Sequence, residues 1–337
     1  MACSVEFSII IPTYNRADEL RETIRSVAKL NVTGDWELLV VDNKSTDHTR
    51  VMVEEEAAAF PAPLRYLFEG EQGRYAALNT GIRAATGNIV ATTDDDARVE
   101  PDWLTRAAAG LEALGCDYVG GKVWPIWRGT PPDWLPHRPG RHWAVLALQD
   151  HGDKPVEFGV NGIPWPLGIN TATRREAFER TDLFDNRLGR KAGTLRNQAQ
   201  REWHLRARAA GLRGFYVPEM IVHHVIEPER LKKQYFRRWY YWHGISRAIL
   251  FTKLGVDMDS PDNSVLDFSK VPQVAGVPRY MYRTFAAQVR DLVRARLRGD
   301  SVAAFEHELW LCFFAGLAKQ RWAERKVPIP PPQVTAS

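Results

Sequence analysis

The sequence predicts an α/β fold in which a mainly parallel sheet is flanked by helices and a C-terminal helical extension follows. Three observations lead there. Short apolar runs alternate with helical periods through the first 125 residues. The rhythm breaks at Trp124–Pro166, a stretch rich in Pro, Gly and Trp. From Glu229 the spacing is helical almost to the end.

Each element has its own reason. Phe7–Pro12, Trp36–Val41, Leu64–Phe68, Ile89–Thr93 and Asp117–Val123 are continuous apolar runs, which suit strands buried on both faces. Between them lie helices at Asp18–Lys29, with Leu20, Ile24 and Val27 on one face, at His48–Phe60, closed by Pro61, and at Arg74–Ala85, stopped near Gly87. Pro101–Leu114 starts with Pro in its first turn, where a missing N–H is harmless. Beyond the loop-rich stretch, helices are expected at Arg174–Arg180 and Gln198–Ala210, and strands at Phe215–Pro218 and Met220–His224. Helices then fill Glu229–Leu254, Arg279–Leu297 and Ser301–Glu324. The chain therefore divides at residues 1–125, 126–228 and 229–326, with a Pro-rich tail at 327–337 expected to be disordered.

Bulk composition narrows the class. Of 337 residues, 45% are hydrophobic, enough for a full core. Cys3, Cys116 and Cys312 are too scattered for a zinc site or a disulfide framework, so a cytoplasmic setting is expected. Met1–Phe7 shows no signal-peptide pattern, and Leu309–Ala318 is too short to span a bilayer. The net charge of +4 is uneven, with basic clusters at Arg230–Arg238 and Arg279–Arg298. These are read as solvated faces or anionic-lipid contacts, and no nucleic-acid partner is expected.

Ligands of open α/β sheets bind beyond the carboxyl ends of the strands. Three such ends are polar here: Pro12–Arg16 after the first strand, Asp42–Asp47 after the second, and Asp94-Asp95-Asp96 after the fourth. Three adjacent carboxylates repel one another, and a hard divalent cation relieves that cost. A calcium site, a helix cap or a solvated turn would also account for them. Neither a Gly-x-Gly-x-x-Gly turn nor a P-loop is present, so dinucleotide and P-loop chemistries are not supported. Tyr14 has a ring that can stack on a base, Asp42 can accept from a pyrimidine N–H, and Arg74 lies near enough to a turn to reach a phosphate.

Ser8–Arg16, Leu39–Asp47 and Ala91–Leu104 together resemble glycosyltransferase family 2. Arg74–Asn79, Gly168–Phe178, Phe184–Gly189, Arg206–Gly211 and Tyr216–Glu219 extend the likeness, which covers roughly residues 6 to 226. The resemblance implies a GT-A fold and an inverting transfer from a nucleoside-diphosphate sugar, UDP-linked first, of the kind used in polysaccharide biosynthesis. Residues 1–125 would bind the donor and residues 126–228 the acceptor. Pro12, Thr13, Tyr14, Asp42, Arg74, Asp94 and Asp95 would line the donor site. Asp94 and Asp96 would form the Asp-x-Asp pair on Mn2+ or Mg2+, with Asp96 the direct ligand and His223 or, preferably, His224 completing the shell.

One departure concerns the base. Where the family often has an acidic pair, this chain reads Ala199-Gln200, and an amide cannot take a proton. Glu202 is the first substitute, ahead of Asp182 and Asp185. Among the tryptophans after residue 123, most are expected to pack loops onto the sheet, while Trp165 and Asn170 are the candidates for contact with a saccharide or lipid-linked acceptor. The stripe Leu231, Tyr235, Trp239, Trp242, Ile245 and Ile249, with basic neighbours, would face the core, pair two copies, or rest on the inner face of a membrane. A nucleotidyltransferase and a non-catalytic sugar-nucleotide scaffold are the competing functions.

Overall fold

The computed structural model describes residues 6–135, 139–140, 142–255 and 271–330. The first half alternates as expected: β1 (Phe7–Thr13), α1 (Ala17–Val27), β2 (Trp36–Asp42), α2 (Thr49–Ala57), β3 (Leu64–Phe68), α3 (Arg74–Ala84), β4 (Ile89–Thr92), β5 (Ala97–Val99), α4 (Trp103–Ala113) and β6 (Tyr118–Trp127). Then come β7 (Val156–Glu157), β8 (Thr171–Arg174), α5 (Arg175–Thr181), α6 (Ala199–Ala209) and β9 (Gly214–Ile226). The chain closes with α7 (Lys233–Leu254), a hairpin of β10 (Gln273–Val274) and β11 (Val277–Pro278), α8 (Arg279–Leu297) and α9 (Ser301–Ala323). The disorder expected at the chain's end concerns residues that, from 331 on, lie outside the described ones.

The main sheet runs β3-β2-β1-β4-β8-β6-β9-β5, with β7 on β9. Six of its nine strands point one way; β5, β7 and β8 oppose them. Every residue of β1 and β2 is buried, as continuous apolar runs covered on both faces must be. In register, Thr13 stands beside Asp42, and Ile10 beside Thr92. Thr92 in turn faces Thr171 of the antiparallel β8. The ends of β1, β2 and β4 and the start of β8 therefore open on one edge of the sheet.

Two local expectations change, and one open alternative is decided. β5 and β8 are too short and polar to announce themselves, and both owe their pairing to long-range partners. The two strands expected at 215–224 are one, β9, whose register against β6 shifts at Gly121/Lys122. A Cβ on Gly121 would stand 1.8 Å from the Met220 carbonyl oxygen, so only glycine lets the bulge form. The stripe along α7 takes its core-facing alternative in part: Leu231, just before the helix, and Ile245 are buried, while Tyr235, Trp239, Trp242 and Ile249 are half-buried. At its crossing with α9, a Cβ on Gly244 would meet the Phe313 carbonyl at 2.0 Å, and one on Gly316 would meet that of Tyr241 at 1.9 Å. Backbone thus lies directly on backbone there. Tryptophans of this stretch do pack loops: Trp124, in β6, lies edge-on to Trp143, and Trp134 edge-on to Phe236 and Phe305, which brings α7 and α9 onto the sheet-bearing part of the chain.

Candidate functional site

Two loops meet over the ends of β1 and β2. Asn15 (φ 52°) and Lys44 (φ 70°) hold left-handed conformations that cost a non-glycine residue energy. Cross-loop hydrogen bonds fix them: Asn15 N–H to Ser45 Oγ (2.9 Å) and Thr46 N–H to Asn15 Oδ1 (2.7 Å). The result is one wall of a cleft of about 350 Å³. Pro12, Thr13, Tyr14, Asn43, Arg74 and Asp94–Asp96 line it, and the 190–194 segment closes it.

The three aspartates are each held by cations. Arg74 donates twice to Asp94 Oδ1, from Nε at 3.0 Å and from Nη2, and once to the Gly168 carbonyl at 3.2 Å. Asp95 accepts from Thr13 Oγ1 and Arg16 Nη1, both at 2.9 Å. Asp96 takes Arg16 Nη1 at 2.7 Å and Arg230 Nη2 at 3.1 Å. Burial pushes the Asp95 carboxyl up to about 6, against the pull of Arg16. Burial acts the same way on Asp96, but the cations around it, Arg230 and Arg16 among them, outweigh it and hold that carboxyl well below the usual range. Asp96 is therefore the permanently ionised member.

His224 explains where a cation fits. Side chains alternate along β9, so His223 turns away to Glu100 (2.6 Å) while His224 turns to the aspartates. Its Nδ1 lies 2.8 Å from the Leu146 carbonyl, which can only accept, so Nδ1 carries the hydrogen. Its Nε2 faces Arg230 Nη1 at 2.9 Å, a group that can only donate. A lone pair on Nε2 thus stands 3.3 Å from the carboxylate of Asp96, with one ring nitrogen anchored to a carbonyl as metal-bound histidines are. Among the described residues no three His, Cys, Asp or Glu side chains enclose a metal by themselves. Magnesium needs only one or two protein ligands, taking the rest from water and phosphate. The donor set fits a divalent ion of that kind.

The remaining candidates lie elsewhere. Glu202 is fully buried, and its carboxylate is taken by Arg206 (2.8 and 3.0 Å) and Lys253 (2.8 Å), outside the cleft. The structure corrects its expected place: the carboxylate clips α6 to α7. Asp185 meets the same lysine. Asn170, 1% exposed, accepts from Trp103 Nε1 (2.8 Å) and donates to the Lys122 and Met220 carbonyls, so every polar atom of its amide is engaged in tying β8 to α4, β6 and β9. Trp165 is stacked on His204 at 5.4 Å, away from the aspartates. Asp42 sits beneath the cleft, bonded to Tyr66 Oη (2.7 Å) and Ser45 N (2.8 Å). Asn170 and Asp42 are thus engaged by the protein's own groups, and Trp165 is buried apart from this cleft.

Sequence reasoning missed Arg16 and Arg230 as site residues. Arg16 was in plain view at the end of the first motif, but nothing local says that its side chain folds back over the aspartates. A second chamber of about 290 Å³ adjoins the first, sharing Arg74, Asp94, Arg190 and Arg230. Gln200 lines it, with its Oε1 against Gly168 beside Arg74.

Known proteins agree with this architecture. The family model described as glycosyl transferase family 2 matches residues 8–181. Glycosyltransferase AglE of Haloferax volcanii is 38% identical over 68% of this chain and 70% of its own length. Succinoglycan biosynthesis protein ExoM of Rhizobium meliloti is 30% identical over 48% of this chain and 52% of its own. In fold, the chain is similar to the mannosyltransferase PcManGT from Pyrobaculum calidifontis, solved with GDP-Man and Mn2+. The TM-score is 0.62 at 21% identity, covering 95% of this chain and 88% of that one. TarS 1-349 of S. aureus, solved with UDP-GlcNAc, aligns with a TM-score of 0.54 at 18% identity, over 90% of both chains.

Proposed function

Because this chain belongs to glycosyltransferase family 2 and is a glycosyltransferase, we propose that it moves a sugar from a nucleoside-diphosphate donor, bound over Asp94–Asp96, to an acceptor oxygen in the adjoining chamber, with inversion at the anomeric carbon. The observation that carries this reading is the convergence of three carboxylates, their arginines and the β1 and β2 loops on one cleft. Tyr14 is 38% exposed at its mouth, where a nucleobase can stack on the ring. Asp96 and His224 would hold a divalent ion, which supplies Lewis-acid stabilisation of the leaving diphosphate when bound. Arg16 and Arg230 neutralise the site otherwise, and Arg74 positions Asp94 against the Gly168 turn. Incubation with UDP-sugars and GDP-mannose, with and without Mn2+, tests the reading. Metal-dependent release of nucleoside diphosphate is expected from at least one donor; no release from any donor with an acceptor extract present would refute it.

The proposal includes contact of α8 with an anionic membrane surface. Phe285, Val289, Val293 and Leu297 form a ladder at four-residue spacing, and each is more than one-third exposed. Six arginines and one aspartate accompany it between Arg279 and Arg298. An apolar stripe edged by cations matches an anionic lipid interface in both polarity and charge. Among the described residues no helix is long and apolar enough to cross a membrane.

A further inference from the structure

The adjoining chamber has the wrong chemistry for a hydroxyl acceptor. Among its described lining residues the one carboxylate is Asp94, already committed to Arg74. Gln200 occupies the place of an acid and cannot accept a proton at neutral pH. His243 is the remaining candidate besides the anchored His224, and its Nδ1 is engaged at 3.1 Å with Asn197. Burial, then Arg247 and Arg201, hold its imidazole well below its ordinary range, so it is a poor base.

Cations, by contrast, are in surplus. Six arginine and lysine side chains line the two chambers against three carboxylates. A divalent ion and a nucleoside-diphosphate sugar would leave that surplus standing, because their charges cancel. Arg190 and Arg196 carry it in the acceptor chamber, and neither forms an ion pair among the described residues. Arg196 bonds only to the Arg187 carbonyl (2.8 Å), leaving its Nε buried and unpartnered. The facing wall is apolar, made of Leu146, Leu167, Tyr235 and Trp239.

Resting on the donor reading above, we propose that the acceptor is a phosphate monoester, held by Arg190 and Arg196, with its organic substituent along the apolar wall. Such a nucleophile enters already ionised, since its second pKa is about 6. An oxygen lone pair of the phosphate forms the new bond to the anomeric carbon. The bond from that carbon to the diphosphate breaks, and its electron pair leaves with the nucleoside diphosphate. No proton is removed, so no base is required, and the product is a sugar phosphodiester.

The test uses the full chain, Mn2+, a donor shown to bind, and three acceptors: a short isoprenyl monophosphate, its parent alcohol, and a soluble hexose 1-phosphate. The isoprenyl phosphate is expected to be glycosylated at least tenfold faster than the alcohol, with kcat/KM flat above about pH 7. Use of the soluble phosphate alone keeps the phosphate chemistry and places its source in water. Arg196→Ala should raise the acceptor KM about tenfold while leaving the donor Kd within twofold, and Arg196→Lys should recover most of the loss. Gln200→Glu should weaken phosphate transfer by like-charge repulsion. Preference for the alcohol, or a bound donor that neither phosphate accepts, overturns the proposal. Failure of every donor to bind would instead strike the functional reading beneath it.

Discussion

Asp96 concentrates the site's electrostatics: one buried carboxylate faces two arginines and a histidine lone pair. Asp96→Asn keeps the shape and removes the charge. We expect turnover to fall by roughly a thousandfold, the scale of losing a main transition-state charge stabiliser. The thermal shift produced by Mn2+ should vanish with it, while circular dichroism stays native. Glu202 provides the contrast. Glu202→Gln removes the charge that Arg206 and Lys253 share, and because both cations are partly exposed and Lys253 keeps Asp185, the loss should be about 1–3 kcal/mol. Urea unfolding should show that loss, whereas turnover per folded molecule changes less than threefold; a thousandfold drop in kcat would restore Glu202 as the base.

At the scale of elements, α6 and α8 make separate claims. His204 on α6 lies 2% exposed between Trp165, Tyr118 and Trp203, with neither ring nitrogen partnered. Burial lowers its pKa to about 3 from 6.5. A depressed folded pKa means stability that is whole above 6.5 and drains away as pH falls toward 3. His204→Phe should therefore flatten the acid limb, gaining roughly 2–3 kcal/mol near pH 4.5 in urea unfolding and nothing near pH 8. For α8, Val293→Asp with Leu297→Asp should abolish flotation with anionic liposomes at low salt and leave transfer to a water-soluble acceptor intact. No flotation of the parent chain removes the membrane assignment, and concentration-dependent dimerisation instead would give the stripe to a second copy.

Across the whole molecule, the first half of the sheet and its polar edge were readable in sequence and the surroundings of the later polar residues were not, for a physical reason. Strands buried on both faces, such as β1 and β2, write themselves as unbroken apolar runs, and the polar residues at their ends must share one edge. Thr13, Tyr14, Arg74 and Asp94–Asp96 line one cleft for that reason. For Asp42, Asn170 and Glu202, spacing reveals that a polar residue is present but not which partner has claimed it. Which of its alternatives the α7 stripe takes was equally hidden, since that depends on α9, some seventy residues later in the chain. That packing reaches the site: α7 carries Tyr235 and Trp239 of the acceptor wall, and Gly316 sets how closely α9 holds it. Gly316→Val should therefore weaken acceptor binding with donor affinity kept.

The most direct measurement is calorimetric titration of a nucleoside-diphosphate sugar into the protein, with Mn2+ and then with chelator. The account predicts binding that requires the ion and is lost in Asp96→Asn. Equal affinity in chelator, or undiminished affinity in the variant, would contradict it.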